Sequence, residues 1–523
     1  MQTEKNCVMS QLPLLPTGQQ EFSEIRQTGR VYVDKTDFIY HLITHSSYFF
    51  FLSRPRRFGK SLLINTLKEL FAGRKELFQK LYIYDKIDWI AYPIIHIDCS
   101  KLGFKELGLK YALENRLKEI AKEYQIQLNE NALGLLFAEL IKKLFEKMNL
   151  KVVILVDEYD KPITDVLEQG DNKQAHENRE VLRMFYSIVK GSSAYIRFMF
   201  LTGITRFTKV SLFSDLNNLV DITFHKDFHN MLGYTQSEIH HYFMPHLQFI
   251  AQENDKSIDD LWKEIKFWYN GYSWNGKDKL YNPFSVLCYL DAREVRNFWF
   301  ESGTPKMLIN LLRKEWLYDL RNLKASMSLI SNFDIDNLNP ETLLFQTGYL
   351  TISEVDKYDR FVLNYPNKEV EQSMLQYLLA DYAHNQRNVA LSYEIITAIE
   401  NNDMDYLCQT LNQLFAAIPY QIFQNHSEAY FHSIIFIALK LCGYYIESEV
   451  SVATGRIDAV LAYENRIYLF EFKLDQNASI ALEQIQNKDY FKKYLHTGKG
   501  LYLVGINFSS VKKEIESCEV RKM

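Results

Sequence analysis

The sequence predicts an α/β protein in three parts. These are an N-terminal doubly wound parallel sheet within 1–235, a mainly helical middle region over 236–425, and a small C-terminal α/β domain over 426–523. Three observations carry this. Apolar strand-like runs alternate with helical periodicity as far as about 230, the pattern of a parallel sheet with crossover helices. Val152 to Val156 is an unbroken β-branched and Leu run, as in a strand buried on both faces. Beyond about 426 the pattern changes to helix, strand, hairpin, helix and strand. At 523 residues the chain also exceeds what one core supports.

Composition excludes several classes. With 47% hydrophobic, 24% charged and 14% aromatic residues, the chain is globular rather than disordered. A net charge of -5 confines any nucleic-acid-binding surface to a local patch. Six scattered cysteines without a CxxC pair fit a reducing compartment and no structural zinc. No stretch has the length of a membrane span or the pattern of a signal peptide, so a cytoplasmic, membrane-free protein is expected.

In chain order, the first expected strand covers 48–53 and runs into a basic loop, followed by a helix from Ser61 to about Phe71. Pro93 to Asp98 reads as a second strand, Lys101 to Met148 as two amphipathic helices, and Arg197 to Thr202 as a strand after a helix near 178–190. The middle region carries short strands near 343–352 and 360–365. The C-terminal part reads as a helix over 429–442, a strand over 444–450, a hairpin over 455–473, a helix over 479–494 and a strand over 500–508.

Arg54-Pro-Arg-Arg-Phe-Gly-Lys-Ser61 lies between a strand and a helix, the context of a phosphate-binding P-loop. Backbone N–H groups of Arg57, Phe58, Gly59, Lys60, Ser61 and Leu62 are expected to cradle ATP phosphates at the helix start. Lys60 reaches the β and γ oxygens, and the Ser61 hydroxyl ligates Mg²⁺. Arg54 stands where the usual consensus has its first Gly. The apolar run ending in Asp157-Glu158 matches a Walker B strand: Asp157 for the Mg²⁺ shell, Glu158 to polarise the attacking water. The next strand offers Thr202 as a polar sensor and Arg206 as a charge stabiliser.

In the C-terminal hairpin, Glu464-Asn465 forms a two-residue turn. Tyr463 then pairs with Arg466, and counting outward sets Asp458 opposite Glu471, with Lys473 on the same face. Two carboxylates so placed need a cation between them, and Mg²⁺ takes such ligands. Lys473 orients or deprotonates water, and phosphodiester hydrolysis follows naturally. Glu428 is a candidate third metal ligand; Gln484 and Tyr490 are candidates to contact phosphate or support Lys473.

Together these segments resemble a bacterial family that joins an AAA-like P-loop ATPase domain to a C-terminal PD-(D/E)XK nuclease-superfamily domain. The resemblance extends through Tyr32-Val-Asp34-Lys-Thr36, Arg54 to Leu62, Leu155 to Asp160, Thr202-Gly-Ile-Thr-Arg206, Tyr281-Asn-Pro-Phe-Ser285, Phe298 to Pro305, Phe345-Gln-Thr-Gly-Tyr-Leu350, Tyr365 to Val370, Gly455-Arg-Ile-Asp458 and Glu471-Phe-Lys473. It implies a restriction-endonuclease-like C-terminal fold, nuclease roles for Asp458, Glu471 and Lys473, and Arg54 as the usual residue at its position. Asn282, Trp299 and Gln346 fall in its middle segments with no chemical role attached. The leading expectation is an ATP-dependent, Mg²⁺-requiring nuclease acting on DNA or RNA, with a homo-oligomer compatible. The alternatives are a regulatory NTPase whose C-terminal domain only binds nucleic acid or a protein partner, and a scaffold that binds nucleotide only to stay folded.

Overall fold

The computed structural model describes residues 12–207, 212–213, 216, 218–299, 308–309, 311–312, 319–382, 388–416, 428–442, 445–452 and 455–523. Two compact units emerge: Met1–Leu308 with Leu320–Val370, and Ile309–Asp319 with Glu371–Met523.

The first unit is built on five parallel strands: β1 (Phe49–Ser53), β2 (Ile94–Asp98), β3 (Val152–Asp157), β4 (Ile196–Gly203) and the two-residue β5 (Val220–Asp221). Their order is β2-β3-β4-β1-β5. Every residue of β1 and β3 is buried, which is why both read as continuous apolar runs rather than alternating ones. Crossover helices cover the sheet, and the core beneath includes Phe50, Leu67, Leu155, Phe198 and Phe200. The expected pair of helices over 101–148 is three, because Gly108 at φ 78 separates Phe104–Leu107 from Leu109–Glu123 before Leu133–Met148.

Further along the same unit, β6 (Asn270–Tyr272) pairs with β7 (Leu280–Tyr281). A small antiparallel sheet has the order β8-β10-β9, from Leu323–Ala325, Phe361–Asn364 and Thr351–Val355. The strand expected near 343–352 is a correction. Asn339 caps a helix over Pro340–Thr347 by accepting from Thr342 N, and strand begins only at Thr351.

The second unit carries a five-stranded sheet: β11 (Tyr445–Val452), β12 (Gly455–Tyr463), β13 (Arg466–Leu474), β14 (Gly500–Ser509) and β15 (Glu514–Lys522), in that order. Only β13 and β14 run parallel. The expected helix over 479–494 ends at Asn487, where Asp489 takes φ 53, and a 3-10 stretch Tyr490–Thr497 follows. No sequence signal pointed to β15. It is a charged strand at the sheet edge, held by its main-chain ladder to β14 and by Asn412, whose side chain bonds Ile515 N and O at 2.7 and 3.0 Å.

Candidate functional site

The basic loop leaves β1 and enters the helix Lys60–Phe71 through Arg57 at φ 67 and Gly59 at φ 91, and no side chain of the N-cap residue caps the helix start. Arg54 does not face solvent. Its guanidinium is fully buried, donates to the carbonyls of Ser53 (2.9 Å) and Thr223 (3.0 Å), and lies 4.0 Å from the Trp274 ring. It anchors the start of the loop by side-chain bonds where a Gly would leave it free. Phe58 packs edge-on against Tyr272 and Trp274 and does not line the cleft.

A cleft of about 390 Å³ opens over this loop. Arg57, Gly59, Lys60, Ser61 and Glu158 line one side, and Tyr234, Pro283 and Phe284 the other. Lys60 folds back, donating to the carbonyls of Arg54 and Pro55 at 2.9 Å each. Burial lowers its pKa, while Asp157, Glu158 and Asp160 oppose the shift. Asp157 is 4% exposed and accepts from Thr202 Oγ1 at 2.6 Å and from Glu158 N at 3.0 Å. Neither Asp157 nor its buried partner Thr202 lines the cleft; Glu158 is the member of the acidic pair that does. Glu158 holds φ 50, and burial raises its pKa against the pull of Lys60 and Lys161. Asp160 is committed elsewhere: it accepts from Ile204 N, Thr205 N and Thr205 Oγ1 at 3.0, 2.6 and 2.6 Å.

Arg206 departs from expectation. It does not line the cleft; its Nε is ion-paired with Asp221 of β5, and its guanidinium lies 5.2 Å from the Phe224 ring. The basic residue that does border Glu158 is Lys161, at 4.0 Å, which sequence reasoning did not single out. Its place four residues past Asp157, at the start of the helix Lys161–Leu167, was the available signal.

In the second unit, Glu464 takes φ 46 and the hairpin pairs Tyr463 with Arg466, inward to Ala459 with Phe470. The β12–β13 ladder ends there; continuing the same count one position brings Asp458 level with Glu471. Asp458 Oδ2 accepts from Phe472 N at 2.8 Å. Glu471 is 1% exposed; Lys473 Nζ lies 3.3 Å from its Oε1, and Gln484 Nε2 donates to the same oxygen. Glu471 Oε2 is buried with no hydrogen-bond partner. Burial, and then the charge of Asp458, pushes the Glu471 pKa up to about 7. Lys473 also donates to Phe472 O at 2.9 Å. Tyr490 is core, its hydroxyl accepting from Arg456 N at 3.3 Å. Glu428 opens the helix Glu428–Leu441, but its side chain lies outside the described residues. Among the described residues no third His, Cys, Asp or Glu completes a metal-binding cluster.

Residues 16–213 match the family model described as predicted AAA-ATPase, and residues 426–518 that of the PD-(D/E)XK nuclease superfamily. A protein of Azotobacter chroococcum mcd 1, described as "Uncharacterized protein in vnfD 5'region", is 37% identical over 521 residues, spanning 95% of this chain and 96% of that one. The chain belongs to this family of AAA-ATPase-like, PD-(D/E)XK proteins.

The middle segments now acquire physical roles within the AAA-ATPase-like unit. Asn282 caps the helix Pro283–Ala292, accepting from Phe284 N and Ser285 N, and so sets Phe284 at the cleft. Glu369, fully buried, accepts from Ser285 Oγ (2.8 Å), Phe298 N (2.8 Å) and Trp299 N (2.9 Å), joining three of those segments through one carboxylate. Trp299 packs edge-on to Tyr349 at 5.0 Å. Gln346 accepts from Arg206 N at 2.9 Å and donates to Ile330 O at 3.0 Å. At Gly348 an added Cβ would meet Pro55 of the P-loop at 2.6 Å. Of these segments, the one around Gly348 packs directly on the loop. Residues 300–307 of the segment Phe298 to Pro305 lie outside the described residues. No helix among the described residues is long and apolar enough to cross a membrane.

Proposed function

We propose that this chain hydrolyses ATP in the P-loop cleft and couples that turnover to Mg²⁺-dependent cleavage of nucleic-acid phosphodiester bonds at the β12–β13 hairpin. Lys60 exchanges the Arg54 and Pro55 carbonyls for β and γ phosphate oxygens. Glu158 orients the attacking water and takes its proton, and Thr202 fixes the Asp157 carboxylate. At the hairpin, Lys473 orients or deprotonates water, and Gln484 holds Glu471 in place. Ser61 and Asp157 would hold Mg²⁺ in the cleft, and Asp458 and Glu471, with Glu428 as a third candidate, at the hairpin. When bound, the ion supplies Lewis-acid charge on phosphoryl oxygens and a more acidic water.

One observation carries the nuclease half: a buried carboxylate oxygen, Glu471 Oε2, has no partner and sits in the field of a second carboxylate. Lys473 and Gln484 serve only Oε1, so a divalent cation between the two carboxylates would satisfy the bare oxygen and hold both groups ionised. From 426 onward acidic and basic residues number 12 each, so this domain adds no electrostatic excess of its own and relies on the rest of the chain for affinity. We place the reaction in the cytoplasm. The test is incubation of the protein with plasmid DNA and single-stranded RNA in Mg²⁺, with and without ATP, beside Lys473→Ala. Cleavage lost in the variant supports the reading. No cleavage by the wild type under any condition leaves a nucleotide-driven switch with a binding module.

A further inference from the structure

The AAA-ATPase-like cleft holds more positive charge than its P-loop lysine supplies. Arg56, Arg57 and Lys161 line it together with Lys60. Two of them are occupied away from the Walker B carboxylates. Arg57 stacks 4.4 Å from the Phe284 ring, and Arg56 lies 3.6 Å from Glu168. Lys161 differs: it follows Glu158 by three residues, and its Nζ is 4.0 Å from Glu158 Oε2 and 3.3 Å from Asp165 Oδ1. Asp165 does not depend on it, because Lys105 Nζ already lies 2.8 Å from its other oxygen. About a third of the Lys161 side chain is exposed, toward the cleft it lines.

We infer that Lys161 is a further catalytic residue, whose ammonium group contacts the terminal phosphoryl group of bound ATP beside the attacking water. The inference rests on the P-loop reading above. A water held by Glu158 lies about 3 Å from that carboxylate. The phosphorus it attacks lies roughly 3–3.5 Å beyond. Lys161 Nζ, 4.0 Å from the same carboxylate and on a side chain that lines the same cleft as Lys60 and Ser61, faces the space into which the phosphoryl group would enter. In the step itself, the water oxygen bonds to the γ-phosphorus and the bond from that phosphorus to the β,γ-bridging oxygen breaks. The electron pair leaves on ADP, and the water proton passes to Glu158. Lys161 stays protonated and donates hydrogen bonds to the transferring group, adding to the charge from Lys60. This is the contribution the sequence assigned to Arg206, which Asp221 holds outside the cleft.

The test compares steady-state MgATP hydrolysis, ATPγS affinity by calorimetry and thermal melting for wild type, Lys161→Met, Lys161→Arg, Asp165→Asn and Lys60→Ala. Lys161→Met should lower kcat by about a hundredfold. Its KM and ATPγS affinity should stay within about threefold of wild type, the sign of an interaction realised in the transition state. Lys161→Arg should restore most of the rate, and Asp165→Asn should hydrolyse like wild type. The inference is overturned by near-wild-type kcat in Lys161→Met, by an equal loss in Asp165→Asn, or by a loss of affinity matching Lys60→Ala. If Lys161→Met does not fold, Lys161→Gln replaces it under the same criteria; failure of both to fold makes the residue structural and also overturns the inference. A wild type without ATP turnover would sink the P-loop reading itself, whereas turnover lost in Lys60→Ala but kept in Lys161→Met sinks this inference alone.

Discussion

The P-loop cleft and the β12–β13 hairpin each gather carboxylates and a lysine, yet they satisfy their own polarity differently. At the cleft, Lys60 holds two loop carbonyls, and the buried Asp157, which does not line it, accepts from Thr202 Oγ1 and Glu158 N. A ligand there exchanges one set of hydrogen bonds for another. In the hairpin, Lys473 and Gln484 both serve one oxygen of Glu471, and the other oxygen is left buried and bare. The polar groups of the first are satisfied within the protein; the second leaves one buried carboxylate oxygen without a hydrogen-bond partner. Stability and function should therefore be separable at the hairpin and inseparable from loop geometry at the cleft.

The largest effect should break the cleft. Lys60→Ala removes the loop ammonium and should lower ATP turnover by about a thousandfold or more with most nucleotide affinity. Turnover assays with calorimetric titration of ATP check this; unchanged binding removes the P-loop assignment. Glu158→Gln should keep ATP but hydrolyse it about a hundred- to ten-thousandfold more slowly. Survival of turnover within a few-fold would show that Glu158 is not the base. Asp160 is then no substitute, since both backbone and hydroxyl donors at Ile204 and Thr205 already occupy it.

Two smaller effects sharpen the contrast. Glu369 has a folded-state pKa pushed by burial from 4.5 to about 7. A raised carboxyl pKa means that its contribution to stability is full below about pH 4.5 and is lost as the pH rises through about 7. The span is roughly 3 kcal/mol at most. Glu369→Gln should flatten that window, because an amide accepts from the Phe298 and Trp299 N–H groups while its NH₂ faces Ser285 Oγ. Thermal melts from pH 4.5 to pH 8 that decline equally in both proteins would refute this. The smallest effect on stability is at the hairpin. Glu471→Gln should abolish cleavage yet stabilise the metal-free protein by about 1 kcal/mol, because it relieves a buried charge. Chemical denaturation with and without Mg²⁺ reads this directly, and a destabilised variant would mean that Glu471 is an ordinary structural ion-pair member.

Local pattern made much of this legible. β3 showed itself because burial on both faces forbids alternation, and the basic loop because a strand, a Gly-Lys-Ser and a helix follow one another within a few residues. The hairpin register could be counted from the Glu464-Asn465 turn, since a period of two leaves one choice once the turn is fixed. What stayed hidden depended on partners far along the chain. Arg206 carried the right chemistry at a plausible strand end, and only Asp221 decided that it would face away from the cleft. The stretch near 343–352 is a different case, a local signal misread: Leu343 to Phe345 are apolar, but the adjoining Asn339 cap and Gly348 at φ 90 make Pro340–Thr347 helix.

The sequence by itself determined most of the N-terminal sheet, the basic loop between β1 and its helix, the acidic pair at the end of β3 and the spacing of the hairpin carboxylates, because backbone period and turn chemistry act over a few residues. Only the tertiary structure decided which charges meet. Glu369 gathering Ser285, Phe298 and Trp299, and Asp221 drawing Arg206 away from the cleft, depend on where separate segments pack. Coulomb energy and desolvation depend on distance in space and on burial, and neither is written in the distance along the chain.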